Sequence, residues 1–337
     1  MEHDGGAAPQ QTMRARFERD GSLTVLVRAV TDLGLKRQNN EDSYGCWLPD
    51  DPDELDRRGL LLAVADGMGG SKGGEVASRI TIETLLHDYR QTAGTDVADN
   101  LRAALTSANG LVYREGLAHP DLAGMGTTCT AAVLRGRELT VAHVGDSRAY
   151  LVRGGRARQL THDHSLVEQM VRNRQITAEQ ARTDPRRNVV TRSVGIDADL
   201  EVDAGRVDEP LGHGDVVVLC TDGLNGVVRD DELGDTVGGH DLRGACERLV
   251  ALARERGAPD NLTVILARVE VEGEPGPPAG GAAERASRRS PTFTVLVVAG
   301  LMLLLLALGA IGMLLLRIGP QASRQGVAED HPAARSS

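Results

Sequence analysis

Aromatic residues are almost missing from this chain. They make up 2% of 337 residues, as one Trp, four Tyr and two Phe. That is too few for a platform on which nucleic-acid bases could stack. A basic excess is missing too: 38 Lys and Arg face 48 Asp and Glu, for a formal charge of −10. That sign argues against a nucleic-acid binder. Cysteine is sparse. Cys46, Cys129, Cys220 and Cys246 are scattered and form no C-x-x-C pair, which points to structural thiols in a reducing compartment. Residues 1–20 hold no apolar run, so no export signal is expected and the body is expected in the cytoplasm.

One long apolar run is present, Thr292 to Leu316, and it carries no charge. As a helix it reaches about 37 Å, enough to cross a hydrocarbon core of ~30 Å. It reads as a single transmembrane helix, residues 292–316. Arg285, Arg288 and Arg289 precede it and Arg317 and Arg324 follow, so charge alone orients it weakly. The expected layout is a disordered extension over 1–22, a catalytic body over 23–270, a flexible Gly/Pro linker over 271–291, the membrane helix, and a short outer tail over 317–337.

Within the body, hydrophobic periodicity alternates between strand and helix. Leu23–Thr31, Gly59–Ala65, Thr127–Leu134, Glu138–Val144, Ala149–Val152, Arg156–Leu160, Glu201–Val207, Asp215–Cys220 and Asn261–Val269 read as strands. Ile82, Leu85, Leu86 and Tyr89 mark one amphipathic helix. Val97 to Val112 and Leu242 to Ala253 mark two more. Ser165–Arg182 is polar with a helical pattern. Strands in adjacent hairpins with helices in pairs predict an α+β fold: a central antiparallel β-sandwich flanked by helices on both faces.

Acids stand where strands end. Asp66 follows a fully apolar run, Asp222 follows another, Asp146 follows Val141–Val144, Asp260 precedes the last strand, and Glu41-Asp42 closes the segment after the first. Each alone is an ordinary turn or cap residue. Together, at one sheet edge, they would repel unless a cation neutralised them. Oxygen-only ligands select hard ions such as Mg²⁺ or Mn²⁺.

The joint pattern resembles the protein phosphatase 2C family, the metal-dependent protein phosphatases, and its bacterial branch in particular. The residues that carry it are Thr31-Asp32-Leu33-Gly34 with Arg37 and Asn40-Glu41-Asp42; Val64-Ala65-Asp66-Gly67-Met68-Gly69-Gly70; Gly126-Thr127-Thr128; His143 to Arg148; Asp163-His164-Ser165; Asn188 to Gly195; Thr221-Asp222-Gly223; and Asp260-Asn261. The resemblance implies hydrolysis of phosphoserine and phosphothreonine on proteins by a metal-activated water. It implies two Mn²⁺ or Mg²⁺ ions bridged by Asp66, with Asp222 and Asp260 on the first. The Gly67 carbonyl and Glu41 serve the second. Asp146 with Asp222 would serve a possible third. Arg37 would grip the substrate phosphate and Asp42 would orient a water. Phosphorylated proteins and membrane-bound serine/threonine kinases are the implied partners. Where animal relatives carry a histidine after the Asp-Gly, this chain has Met68, which cannot donate a proton. Where bacterial members carry His-Pro, it has Asp184-Pro185.

Four further features read more plainly. His162-Asp163-His164 reads as structural rather than metal-binding. Pro49–Asp56 reads as a solvated acidic loop. Thr127-Thr128 read as core strand residues rather than nucleophiles. Arg182, Arg186, Arg187 and Arg192 form a basic group that either contacts acidic phosphopeptides or is ordinary solvated surface.

Overall fold

Every side chain from Leu60 to Ala65 is buried, but on two faces. Leu60, Leu62 and Val64 enter one core, whereas Leu61, Ala63 and Ala65 enter another. The period of two in a strand covered on both sides makes this division. The computed structural model describes residues 10–17, 23–92 and 94–274.

In chain order the first strands are β1 (Gln10–Phe17), β2 (Leu23–Asp32) and β3 (Asp42–Trp47), then helix α1 (Pro52–Arg58) and β4 (Leu60–Met68). Two long helices follow, α2 (Gly70–Gln91) and α3 (Val97–Ala118). A run of short strands comes next: β5 (Gly126–Thr127), β6 (Cys129–Arg135), β7 (Glu138–Val144), β8 (Arg148–Arg153) and β9 (Arg156–Gln159). Helices α4 (Leu166–Arg172) and α5 (Ala178–Thr183) form a flap before β10 (Asp203–Arg206) and β11 (Val216–Cys220). The body closes with α6 (Asp222–Asn225), α7 (Asp230–Gly239), α8 (Leu242–Glu255) and β12 (Leu262–Val271).

The strands form two antiparallel sheets, ordered β1-β2-β12-β11-β8-β9 and β10-β7-β6-β4-β3, with β5 paired to β4. One core lies between the sheets. A second packs α2 and α3 on the outer face of β4, β6 and β7. A third packs α6, α7 and α8 on the outer face of β8, β11 and β12. This is the layered α+β sandwich that the periodicity predicts.

Antiparallel register brings the acids together. Asp42 lies opposite Asp66, Cys129 opposite Val144, Cys220 opposite Val264, and Leu262 opposite Asp32. The C-terminal ends of β2, β4, β7 and β11 therefore share one end of the sandwich with the N-terminal ends of β3, β6 and β12.

Two expectations need correction. Residues 1–22 are not wholly disordered, because Gln10–Phe17 pairs along β2. Ala15 and Phe17 reach the inter-sheet core, while Arg14 and Arg16 face outward, as a protected edge strand requires. Pro49–Asp56 is not all loop. Asp51 caps α1 by accepting from the Asp53 amide, Pro52 starts the helix, and Leu55 is buried. The helical pattern over Ser165–Arg182 resolves into two helices, α4 and α5, and Arg174 between them has a left-handed backbone with φ 58°. The linker, membrane helix and tail predicted beyond residue 274 lie outside the described residues. Among the described residues no helix is long and apolar enough to cross a membrane.

Candidate active site

A cleft of about 460 Å³ opens at this end of the sandwich, and Arg37, Glu41, Asp66, Gly67, Asp146, Asp222 and Asp260 all line it. Every residue assigned from sequence to the metals or the phosphate is thus in one place, apart from Asp42, which sits just beneath.

Asp66 lies near the C-terminal end of β4, and its peptide is clamped. Its amide donates to Thr128 Oγ1 at 2.9 Å, and its carbonyl accepts from Thr127 Oγ1 at 2.7 Å and from the Thr128 amide at 2.9 Å. Thr128 Oγ1 in turn meets Ser147 Oγ at 2.7 Å, beside Asp146. Thr127 and Thr128 are strand residues, as expected, but they also position the acid. Gly67 follows, and a Cβ there would collide with the Gly74 carbonyl and the Glu41 carbonyl. Only glycine lets the three backbones approach so closely.

Asp42 is buried, and its Oδ2 is held by two hydroxyls, Thr221 at 2.8 Å and Thr263 at 2.7 Å. The chain of donors has one direction. The Asn40 side-chain amide donates to Thr31, Thr31 is 2.8 Å from Thr263, and Thr263 spends its proton on Asp42. Thr31 must therefore be the donor to Thr263. Among the described residues neither Asp42 Oδ1 nor Asp222 Oδ1 has a hydrogen-bond partner. Buried carboxylate oxygens without donors are costly, and two of them here mark places that a cation or its water would satisfy.

Asp260 accepts from Arg37 Nη2 at 2.6 Å and from the Asn261 amide at 2.8 Å. Asn261 uses its whole side chain to fasten the loop that carries Arg37 and Glu41. Its Oδ1 accepts from the Glu41 amide at 2.8 Å, and its Nδ2 donates to the carbonyls of Leu33 and Asn39 at 2.9 and 3.0 Å. Asn225 donates to the Asp146 carbonyl at 3.3 Å, so α6 steadies the Asp146 turn. Sequence reasoning gave no role to Thr221, Thr263, Asn225 or Asn261. The polar Thr263 inside the otherwise apolar run Leu262–Ala267 was the one visible signal.

The electrostatics follow from crowding. Burial, then the neighbouring acids Asp222, Asp42, Asp146 and Asp260, holds the Asp66 carboxyl well above the usual carboxylate range. Burial raises Asp42 to about 7, partly offset by its two threonine donors. Burial and Asp222 raise Asp146 to about 8. Burial and Asp260 raise Asp222 to about 6, while a hydrogen bond to Asp66 and the charges of Arg37 and Arg187 pull it down. Burial also raises Glu41, against the pull of Arg37.

Without added positive charge this cluster resists ionisation, and that is the condition a pair of divalent cations relieves. Among the described residues no three acidic, histidine or cysteine side chains already close around a single point. The acids line one cleft instead, leaving coordination positions for water, as small hard cations prefer. The donor set is all oxygen and fits Mg²⁺ or Mn²⁺.

Replacing Thr263 with Val removes one donor to Asp42 without changing side-chain shape. Asp42 should then ionise at higher pH, so the acidic limb of the pH–rate profile should move upward. The rate should fall by about 10-fold, in the ~10–100-fold range of changes to groups that orient ligands. A pH–rate profile of the variant beside wild type checks this.

His162-Asp163-His164 holds structure, as expected. Asp163 pairs with Arg148 at 2.6 Å, and His164 Nδ1 accepts from the Gly145 amide at 3.1 Å. Cys129, Cys220 and Cys246 are buried and Cys46 is half-buried, all as free thiols.

Comparison with known proteins agrees with this geometry. Residues 36–267 match the family model described as Protein phosphatase 2C. The chain is 36% identical over 248 residues to the serine/threonine protein phosphatase PstP of Mycobacterium tuberculosis, covering 74% of this chain and 46% of that protein. The chain thus spans about half the length of that relative. It is 34% identical over 241 residues to the serine/threonine phosphatase stp of Listeria welshimeri, covering 70% of this chain and 92% of the relative. The crystal structure of the catalytic domain of PstP in complex with two manganese ions superposes with a TM-score of 0.64 at 35% identity, covering 74% of this chain and 99% of that one.

Proposed function

Because the chain belongs to the protein phosphatase 2C family, we propose that it is a metal-dependent phosphatase that removes phosphate from serine and threonine residues of proteins. The observation that carries this is the convergence of Asp66, Asp222, Asp260, Asp146 and Glu41 on one cleft with Arg37 at its mouth.

Asp66 would bridge two Mn²⁺ or Mg²⁺ ions, with Asp222 and Asp260 on one and the Gly67 carbonyl and Glu41 on the other. Asp146 and Asp222 would hold any third. When bound, such a pair supplies the positive charge that ionises water near neutral pH and neutralises phosphoryl oxygens. The remaining work belongs to side chains. Arg37 presents its remaining N–H groups to the substrate phosphate while Nη2 stays on Asp260. Asp42, pinned at Oδ2, offers Oδ1 to orient the attacking water and accept its hydrogen bond. Met68 supplies no proton to the departing serine or threonine oxygen, so no side chain at that position acts as an acid.

The full layout proposed is the catalytic body in the cytoplasm, a flexible linker over 271–291, a single membrane helix over 292–316 and a short tail over 317–337. Tethering at the bilayer raises the local concentration of phosphorylated membrane proteins, and membrane-associated serine/threonine kinases are the enzymes it would oppose. The support for the anchor is the uncharged run from Thr292 to Leu316.

The protein should release phosphate from a phosphothreonine peptide with Mn²⁺ or Mg²⁺ and not after chelation. No release with either ion would end this reading. Arg37→Ala should lower kcat/KM by about 10²-fold, the scale of losing one donor that stabilises developing charge, with metal affinity largely retained. Steady-state kinetics with a manganese titration separates the two effects.

A further inference from the structure

Beside the metal cleft lies a second cavity of about 390 Å³, and the two share Asp146, Asn188 and Asp222 on their walls. The flap helices α4 and α5 form one side, and α6 with the start of α7 forms the other. Its volume falls within the range of small-ligand sites, about 300–1,000 Å³.

Seven carboxylates and four arginines line it: Asp146 and Asp222 belong to the metal cleft, Asp163 and Asp230 lie within ion-pair distance of Arg148, Glu179 and Asp231 within that of Arg229, and Glu168 is left over. Arg148 is committed to Asp163, and Arg229 lies between Glu179 and Asp231. The basic group noted in the sequence divides. Arg186 folds back onto Asp184 and Arg192 binds Glu201 and Asp203. Neither of those two lines the cavity. Arg182 and Arg187 do line it, and among the described residues neither has a carboxylate within ion-pair distance or a side-chain hydrogen bond. Their placement is not casual. The Arg187 amide donates to the Asp184 carbonyl at 3.1 Å. Just beyond, the flap base is tied by Leu166 to Val189 at 2.8 Å and Thr191 to His164 at 2.7 Å.

Building on the phosphatase reading above, we propose that this cavity receives the stretch of substrate protein next to the phosphoresidue, and that Arg182 and Arg187 select stretches bearing an anionic group. A carboxylate or a second phosphate would satisfy the same two guanidinium groups. The phosphoresidue enters the metal cleft, the chain continues past Asn188, and its neighbouring anion meets the two free arginines. Electrostatic complementarity of this kind sets preference among substrates more than the rate of chemistry.

The test uses the whole protein with Mn²⁺ and four substrates: p-nitrophenyl phosphate, a phosphothreonine peptide with neutral flanks, the same peptide with Asp and Glu flanks, and one with a second phosphothreonine. Wild type should favour an anionic peptide over the neutral one by about 10-fold or more in kcat/KM, and whichever anionic peptide leads identifies the source. Arg182→Gln with Arg187→Gln should bring that ratio close to one. Arg182→Gln alone should lower the ratio while rates on p-nitrophenyl phosphate and the neutral peptide stay within about twofold, and its thermal midpoint should not move, because among the described residues Arg182 holds no structural pair. A ratio unchanged in the double variant overturns the proposal, as does a wild type without preference. An equal fall on p-nitrophenyl phosphate would place the arginines at the reacting phosphate and also overturn it. If wild type hydrolyses none of the four, the phosphatase reading itself has failed, and this inference fails with it.

Discussion

Asp66→Asn is expected to lower phosphate release by at least about 10³-fold at saturating Mn²⁺, beyond the ~10–100-fold that changes to orienting groups cost. The reason is position. Asp66 lies among Asp222, Asp42, Asp146 and Asp260, and all four add to the charge that raises it. An amide there keeps the shape but gives up the negative charge that two cations would share. The fold should survive, because the clamp on Asp66 acts through its peptide and not its carboxylate. Without metal the variant should melt at or above the wild-type temperature, because the amide removes a carboxyl whose ionised form burial and the neighbouring acids disfavour. The gain in melting temperature that Mn²⁺ gives wild type should largely vanish. A variant that binds Mn²⁺ as wild type does, or that keeps a tenth of the activity, would remove Asp66 from the centre of the account.

The second large effect is on stability against pH, and it changes with metal. Asp222, Asp42 and Asp146 are raised to about 6, 7 and 8, and Asp66 is held well above the usual carboxylate range. Between about pH 4 and pH 8 the folded protein therefore holds protons that the unfolded chain has already released. The unfolded state binds fewer protons in that window, so stability falls as pH rises through it. The chelated protein should melt highest near pH 5 and roughly 5–10 °C lower near pH 8. Mn²⁺ takes the place of those protons, so its stabilisation should be small at pH 5 and large at pH 8. Calorimetric scans across pH, with and without chelator, check both limbs. A chelated midpoint that climbs steadily from pH 5 to pH 8 would contradict the clustering of these acids.

The sequence made the double-faced strands legible, because Leu60–Ala65 and Val216–Cys220 are apolar at every position and few other structures allow that. It also made the acids at their ends legible, since Asp66 and Asp222 interrupt those runs abruptly. Strand register was not legible: nothing in the order of residues says that Asp42 lies opposite Asp66. Edge strand β1 was hidden by its polar outer face, which leaves only Met13, Ala15 and Phe17 as a pattern. Helix α1 was hidden by its acidity, although Asp51, Pro52 and the acids of its first turn are an N-terminal signal in their own right. The supports of the site were the least legible part. Thr221, Thr263 and Asn261 act through side-chain hydrogen bonds between segments up to 228 residues apart, and the same residue types serve as turns and caps everywhere else. The four arginines of the flap could not be told apart until their partners were known, because only the fold shows that Arg186 and Arg192 are engaged and that, among the described residues, Arg182 and Arg187 have no ion-pair partner.

Convergence of distant aspartates on a shared pair of hard cations is the claim on which the roles of Arg37, Asp42 and the flap arginines rest. Anomalous scattering at the manganese edge, from crystals of the protein grown with Mn²⁺, measures it most directly. Two peaks should appear in the cleft, each within about 2.6 Å of an Asp66 carboxylate oxygen, with Asp222 and Asp260 on one of them. Manganese bound only elsewhere, or a cleft without manganese at concentrations that support activity, would contradict it.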